Sequence, residues 1–329
     1  MNLPIITSHK VSVVCPFYNE AACIKDSTQV MLNILPNYFS NWELILVNDG
    51  SIDGSLEILS TIKNQSLRII STSQNQGRGR AIMNGIGFST GEIIVTTEID
   101  LTWGDKIIYD LVRNLIDKNL HLIIASPHMT GGQLVNVPLQ RLILTSIGNY
   151  LIRTFTHMKI TMSTGMTRAY RADVIKPLQI IANGKEAYLE ILLKLYTLNF
   201  RIGEVPATIS WNKSNKFKAR KSSTNIRTTV LTHLRFVLVA QPKFYFSSIA
   251  SLSFLVGTGL IFYSIYSFLF NRPSLSLLIA GITFYSFSIL CFSFSLIFTE
   301  LRDLLRGQWS QYYQEPMPHA LKGVEIFQN

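Results

Sequence analysis

At 329 residues the chain is long enough for one α/β domain and a further segment, yet only 15% of its residues are charged and its mean hydropathy is +0.25, high for a soluble enzyme. The formal net charge is +10, and eight of the 30 Lys and Arg residues, with no Asp or Glu, lie between Lys213 and Lys243. Basic charge gathered beside long apolar runs points to a membrane surface and argues against nucleic acid as the partner. The three cysteines, Cys15, Cys23 and Cys291, have no metal-ligand spacing and read as reduced, packed thiols.

The first ten residues, MNLPIITSHK, hold no apolar core of signal-peptide length, so residues 1–243 are expected to stay on the side where they are made. Val11–Cys15 reads as a first strand. Pro16 has no N–H for a central ladder, and the chain is expected to leave the sheet there. A helix then opens at Asn19 and Glu20 and runs to about Leu35. Glu43–Asn48 is a second strand that ends on Asp49, and Ser51 or Asp53 is placed to cap a helix over 54–62. Leu67–Ser71 is a third strand. The glycines of Asn75-Gln-Gly77-Arg78-Gly79-Arg80 suit a tight loop before a helix reaching about Phe88.

The strand at 91–97 is an apolar run, Ile93-Ile94-Val95, of the kind buried on both faces of a parallel sheet. It meets two carboxylates, Glu98 and Asp100, which cannot share a core without a large desolvation cost and so face water, a cation or a phosphate-bearing ligand. A solvated strand end is the bland alternative. A helix near 104–118 and a strand at 121–125 follow. This alternation predicts a mostly parallel, Rossmann-like α/β sheet, with Glu20, Asp49, Glu98 and Asp100 all following strand ends, where open α/β sheets bind ligands. There is no GxGxxG after the first strand and no Walker Lys-Ser/Thr, so dinucleotide and P-loop readings fail.

Residues 244–270 and 274–299 carry no charge, and each exceeds the ~20 residues that cross a bilayer. Joined by Asn271-Arg272-Pro273, they predict a two-helix transmembrane hairpin. Before it, Ile226, Val230, Leu234, Val237 and Leu238 share one helical arc, interrupted by Arg227, which suggests an interfacial helix.

PFYNE (16–20), VNDGSIDGS (47–55), NQGRGRA (75–81) and TTEIDLT (96–102) together resemble family 2 of the inverting glycosyltransferases, with the GT-A fold, and most nearly its polyprenyl- and dolichyl-phosphate sugar synthases. GMTRAYRADV (165–174), LEI (189–191) and FRIGEVPATI (200–209) extend the likeness over roughly residues 11–240. The resemblance implies a GT-A domain over 1–212, and with the charge and hydropathy pattern the expected order continues with a basic juxtamembrane segment over 213–243, the spans over 244–299 and a cytoplasmic tail over 300–329. It assigns Pro16, Tyr18, Glu20, Val47 and Asp49 to the base and ribose of a sugar nucleotide. Glu98, Ile99 and Asp100 take the place of the family's Asp-Ala-Asp motif, with Glu98 and Asp100 as ligands of Mg²⁺ or Mn²⁺. Arg141, with Lys218, Arg220 and Lys221, falls at positions that contact donor or acceptor phosphates. Arg78, where a Lys is usual, and Arg168 are further candidates for phosphate contact, and a structural ion pair is the alternative for Arg168. Glu190 falls in the LEI pattern and either faces the acceptor or sits, with Glu186, on a solvated helix face. Thr161 stands where the family often has Asp. His128, Trp103 and Trp211 read as filler, core or acceptor-facing groups.

The expected activity is transfer of one sugar from a nucleotide-sugar donor to a polyprenyl phosphate, with a divalent metal. A phosphate whose second pKa is about 6 is already largely ionised near neutrality and needs positioning more than a base, which suits a chain without an obvious catalytic His. A hydroxyl acceptor would need a base, Glu186 or Glu190; a non-catalytic nucleotide-sugar-binding subunit is the third reading. The expected location is the cytoplasmic membrane, with the catalytic domain and both termini cytoplasmic, and a homo-oligomer is compatible with the sequence.

Overall fold

The computed structural model describes residues 7–137, 149, 160–210, 242–270, 274–312 and 324–327. The chain divides into two compact units, residues 1–232 with 312–329 and residues 233–311. Arg141, Trp211, Lys218, Arg220, Lys221 and the amphipathic stretch 226–238 lie outside the described residues.

In the first unit the elements run β1 (Val11–Phe17), α1 (Ile24–Tyr38), β2 (Trp42–Asn48), α2 (Ser55–Ser60), β3 (Leu67–Thr72), α3 (Arg78–Phe88), β4 (Ile93–Thr96), α4 (Ile107–Asp117), β5 (Leu122–Ser126), β6 (Gln133–Val135), β7 (Arg168–Arg171), α5 (Ala172–Ile175), α6 (Ala187–Thr197), β8 (Ile202–Pro206), β9 (Thr208–Ser210) and, at the far end of the chain, β10 (Val324–Phe327). The main sheet has the order β10-β3-β2-β1-β4-β7-β5-β8, and β6 and β9 form a separate parallel ribbon. Neighbours are parallel except where β7 meets β4 and β5 and where β10 meets β3.

Val11, Val13, Val14, Leu44, Ile45 and Leu46 are fully buried, as central strands covered on both faces should be. Helix α3 rests closely on this layer. A Cβ on Gly85 would collide with Cγ1 of Val14 and lie 2.8 Å from Cγ2 of Val47. Val47 therefore turns its side chain into the core, so its side chain is not among the groups that could meet a base or ribose.

After β3 the chain crosses back and places β4 on the other side of β1. The reversal leaves a crevice outside the carboxyl ends of β1 and β4, the usual ligand position in such sheets. Pro16 does not end β1, contrary to expectation: the strand continues to Phe17, with Pro16 in register with Val47. Pairing with β4 stops at Val14 and Thr96. Val14 uses its β4-facing side, accepting from Thr97 N at 3.1 Å, and Pro16, two residues on, faces the same way just past the ladder's end. Its missing N–H costs nothing there. Helix α1 likewise passes Leu35, carrying Pro36 in its last turn.

At the opposite end of the sheet Glu43 is buried. It accepts from Ser12 Oγ (2.6 Å), Thr90 N (2.6 Å), Thr90 Oγ1 (2.8 Å) and Arg68 Nη1 (3.1 Å). Burial pushes its carboxyl upward, and these bonds outweigh that and hold it below the usual range.

The second unit contains α7 (Pro242–Leu269) and α8 (Leu275–Tyr312). Both have stretches long and apolar enough to cross a membrane, Lys243–Leu269 and Leu275–Leu304. Small and hydroxylated residues line their contact. Ser253 Oγ donates to Phe284 O and Ser288 Oγ to Ala250 O, both at 2.8 Å, and a Cβ on Gly257 would lie 3.1 Å from Gly281 O. Close backbone approach through such residues is how helices associate where burial from water gives no drive. Phe262, Leu255 and Ile289 are each about two-thirds exposed, unlike the core helices of a soluble protein. The boundary expected at 299 is not an element boundary: α8 continues to Tyr312, and the expected tail ends in β10 within the first unit's sheet.

Candidate active site

Two loops form the floor of the crevice and lock each other. Asn19, at a φ of 56°, receives Ile52 N on its Oδ1 and gives its own N–H to Ser51 Oγ, both at 2.9 Å. Glu20 N donates to Ser55 Oγ at 3.0 Å and Ala21 N to Asp53 Oδ2 at 2.9 Å. Ser51 and Asp53 thus brace the loop after β1, and Asp53 Oδ1 also accepts from Ser55 N, the first N–H of α2, at 3.1 Å, although Gly54 itself supplies no cap. This explains the dense polar run Asn48–Ser55: its side chains satisfy backbone groups that a tight loop leaves over.

Asp49 is buried and accepts from the backbone N–H groups of Gln76 (2.8 Å) and Gly77 (3.0 Å). Burial raises its carboxyl, and these two bonds offset only part of the rise. Gly77 has a φ of +99°, and a Cβ there would lie 2.5 Å from Asn183 O, so the loop admits only glycine at that point.

Across the crevice, Arg78 Nη1 stands 3.3 Å from Glu98 Oε1. Thr102 holds both acids, with Oγ1 at 2.9 Å from Asp100 Oδ1 and 3.3 Å from Glu98 Oε2, while its N–H reaches Asp100 Oδ1 at 3.1 Å. Asp100 is pushed up to about 6, by burial first, then by the charges of Glu98 and Glu20. Leu101, between Asp100 and Thr102, has a φ of 55°, a costly conformation for a branched side chain that persists where surrounding contacts over-determine it.

The resulting cleft, open to solvent, is lined by Pro16, Tyr18, Glu20, Asp49, Arg78, Glu98, Ile99 and Asp100, all singled out from the sequence, together with Phe17 and Met166. The sequence motifs assign no role to Met166 or to Thr102, and for Thr102 the signal is a hydroxyl two residues past Asp100.

Two predicted residues lie elsewhere. Arg168 is fully buried. Its Nε, Nη1 and Nη2 donate to Gly165 O (2.6 Å), Tyr188 O (2.9 Å) and Ser163 O (2.7 Å), and its guanidinium lies over the Tyr188 ring. Backbone carbonyls occupy donors on all three of its nitrogens, and among the described residues it has no carboxylate partner, so it serves the fold and not the cleft. Glu190 accepts from Ile181 N (3.1 Å), Ala182 N (2.9 Å) and Lys194 Nζ (2.6 Å), so it caps a loop rather than facing the cleft. Glu186 is exposed and accepts from Gly184 N. Thr161 gives its N–H to Glu204 Oε2 at 2.8 Å and sets its hydroxyl against the same carboxylate. An Asp at 161 would confront Glu204. Trp103 is core, and partial burial of His128 shifts its pKa below the usual imidazole range.

A sheet reversing between β1 and β4, with a carboxylate-walled cleft at that point, is the arrangement of the GT-A class. The fold matches that of glucosyl-3-phosphoglycerate synthase from Mycobacterium tuberculosis, solved with UDP, at a TM-score of 0.53 and 17% identity over 70% of this chain and 80% of that one. The same enzyme, solved with Mn²⁺, UDP and phosphoglyceric acid, also scores 0.53, at 16% identity over 70% of this chain and 78% of that one.

The chain belongs to glycosyl transferase family 2, whose sequence model matches residues 12–178. It is 27% identical over 208 residues to the dodecaprenyl-phosphate galacturonate synthase of Rhizobium johnstonii, a match covering 62% of this chain and 60% of that protein, less than two-thirds of its length. It is 28% identical over 211 residues to the dolichol-phosphate mannosyltransferase of Saccharomyces cerevisiae, covering 61% of this chain and 78% of that protein.

Proposed function

We propose that the chain is a membrane-anchored, inverting glycosyltransferase that moves one sugar from a nucleotide-sugar donor to a polyprenyl phosphate. The observation that carries this reading is a carboxylate-walled cleft and two membrane-length helices in one chain. The names of the two relatives, both lipid-phosphate sugar transferases, support it. Pro16, Tyr18, Glu20 and Asp49 take the base and ribose, Ile99 lines the cleft between the two metal-motif carboxylates, and Arg78 turns toward the diphosphate. Arg141, Lys218, Arg220 and Lys221 enter as phosphate contacts on the family resemblance alone.

The donor set fits a divalent metal. Asp100 is a half-buried carboxylate held against Glu98 and Glu20, a repulsion that a cation relieves. Among the described residues no three acidic, His or Cys side chains converge as ligands. Two carboxylates, Glu98 and Asp100, with phosphate oxygens and water completing the shell, is the way Mg²⁺ is commonly held. When bound, the cation offsets the negative charge that grows on the departing diphosphate.

In the reaction an acceptor phosphate oxygen forms a bond to the anomeric carbon. The bond from that carbon to the donor's phosphate oxygen breaks, and the nucleoside diphosphate leaves with the electron pair. No proton need move, and one in-line displacement inverts the centre. Of the two bases that a hydroxyl acceptor would call on, Glu190 is spent on the 181–182 backbone and Glu186 is exposed and accepts from Gly184 N, and neither lines the cleft, which favours the phosphate. Two spans leave both ends of the chain on one side of the membrane, and the pairing of β10 with β3 supports that. The basic residues of 213–243 favour the cytoplasmic side of an inner membrane.

The test is transfer of radiolabelled sugar by purified protein into polyprenyl phosphate. The expected product is organic-extractable and labile to mild acid. Label recovered only in an acid-stable glycoside, or no transfer across a panel of nucleotide sugars, refutes the proposal.

A further inference from the structure

We infer that the C-terminal strand β10 is a clasp for the donor side of the cleft: added to the edge of β3, it fixes the root of the Gln74–Gly77 loop that holds Asp49. The inference builds on the reading of this cleft as a nucleotide-sugar site.

β10 runs antiparallel to β3, with Val324 opposite Thr72, Glu325 opposite Ser71, Ile326 opposite Ile70 and Phe327 opposite Ile69. The ladder therefore reaches the last residue of β3, where the loop departs. Thr72 is the junction. Its Oγ1 is within 3.1 Å of Gln74 O and 3.2 Å of Asn48 O, and Ser71 Oγ accepts from Asn48 Nδ2 at 3.0 Å. Asn48 immediately precedes Asp49 and receives Ser51 N on its Oδ1 at 2.9 Å.

The loop then lies directly on the backbone of Gly50: a Cβ there would be 2.5 Å from Gln74 C and 2.6 Å from Asn75 N. Two residues later Gln76 and Gly77 hand their N–H groups to Asp49. The far side of the loop is braced by Asn183, whose carbonyl accepts from Arg80 N at 3.1 Å. On the near side the brace is β3 itself.

Without β10, β3 would be the outermost strand of the sheet, with alternate N–H and C=O groups unpaired. Such edges fray and slip more readily than interior strands. Strand addition pairs those groups by main-chain hydrogen bonds, and Val, Ile and Phe are residues that favour a strand. Strand β10 thus bears on the loop that orders Asp49 through the backbone of β3.

The test uses the full chain in detergent, comparing wild type with Glu325→Pro/Ile326→Pro. Adjacent strand residues point their N–H groups to opposite sides, so one of the two prolines removes a ladder donor in either phase. Amide hydrogen exchange is followed in peptides covering 67–77 and, as an internal control, 93–101. The expected result is exchange faster by about tenfold or more at Ile69–Thr72 and at Gln76–Gly77, with 93–96 unchanged. The donor KM rises while the acceptor KM holds, and an excess of a synthetic peptide of residues 322–329 restores protection in a chain truncated before Val324. Unchanged exchange at Ile69–Thr72 overturns the docking of the strand. Faster exchange there with Gln76–Gly77 still protected overturns its hold on the loop. A protein that transfers no sugar but shows the expected exchange pattern refutes the functional reading and upholds the clasp.

Discussion

Replacing Arg168 tests whether its guanidinium serves the fold or a ligand. Three buried backbone carbonyls, of Ser163, Gly165 and Tyr188, accept from it. Arg168→Met keeps much of the side chain's volume but leaves those acceptors without their donor, and an abandoned buried polar group costs about 1–3 kcal/mol. Burying the guanidinium charge is itself unfavourable, and methionine removes that cost. The balance expected is a loss of about 3–5 kcal/mol, which for a domain of this size lowers Tm by roughly 10 °C. Arg168→Lys retains the charge but not the planar three-way fork, and should fall between the two. Thermal unfolding of detergent-solubilised protein, read with nucleotide-sugar binding on the same samples, decides the matter. At temperatures where the variant is folded, donor affinity should be close to wild type. An unchanged Tm with donor affinity lost would refute this account and return Arg168 to the phosphate contact inferred from its motif.

Two further outcomes are expected. Glu43→Gln should cost about 1.5–3 kcal/mol near neutral pH, since it weakens hydrogen bonds to a buried charge. Because the folded-state carboxyl lies below its ordinary value of 4.5, the wild-type contribution is full above that value and is lost as pH falls through the lower folded-state value. The gap between the two proteins in urea unfolding should therefore close in acid, and a gap that widens below pH 4.5 would contradict the assignment. Asp100→Asn should cut transfer by about a hundredfold or more, and chelation should do the same to wild type. Tm should hold or rise, since the change removes a charge set against Glu98 and Glu20; full activity in excess chelator would exclude a metal role for the pair.

The strands and the cleft were legible because they depend on local pattern. Apolar runs ending on carboxylates mark strand ends, and in a parallel sheet the strand ends are where ligands bind. The sequence left Arg168 and Glu190 open between ligand and fold for a physical reason. A motif records which residue type a position keeps, and a charged residue is kept equally well by a ligand or by backbone groups that need a partner. Arg168 feeds three carbonyls, and Glu190 collects two N–H groups from residues eight and nine positions before it. No periodicity announces such contacts, since loop conformation sets them. Pro16 shows the same limit within a strand. The cost of a missing N–H depends on whether a neighbour stands opposite, and pairing with β4 ends two residues too early for Pro16 to feel it. The long-range strand β10 is the extreme case. Four residues of ordinary strand propensity carry no address, and only the vacant edge of β3 gives them one. What composition conveys is therefore the chemistry available at a position, while the sheet decides whether that chemistry faces a ligand or the chain itself.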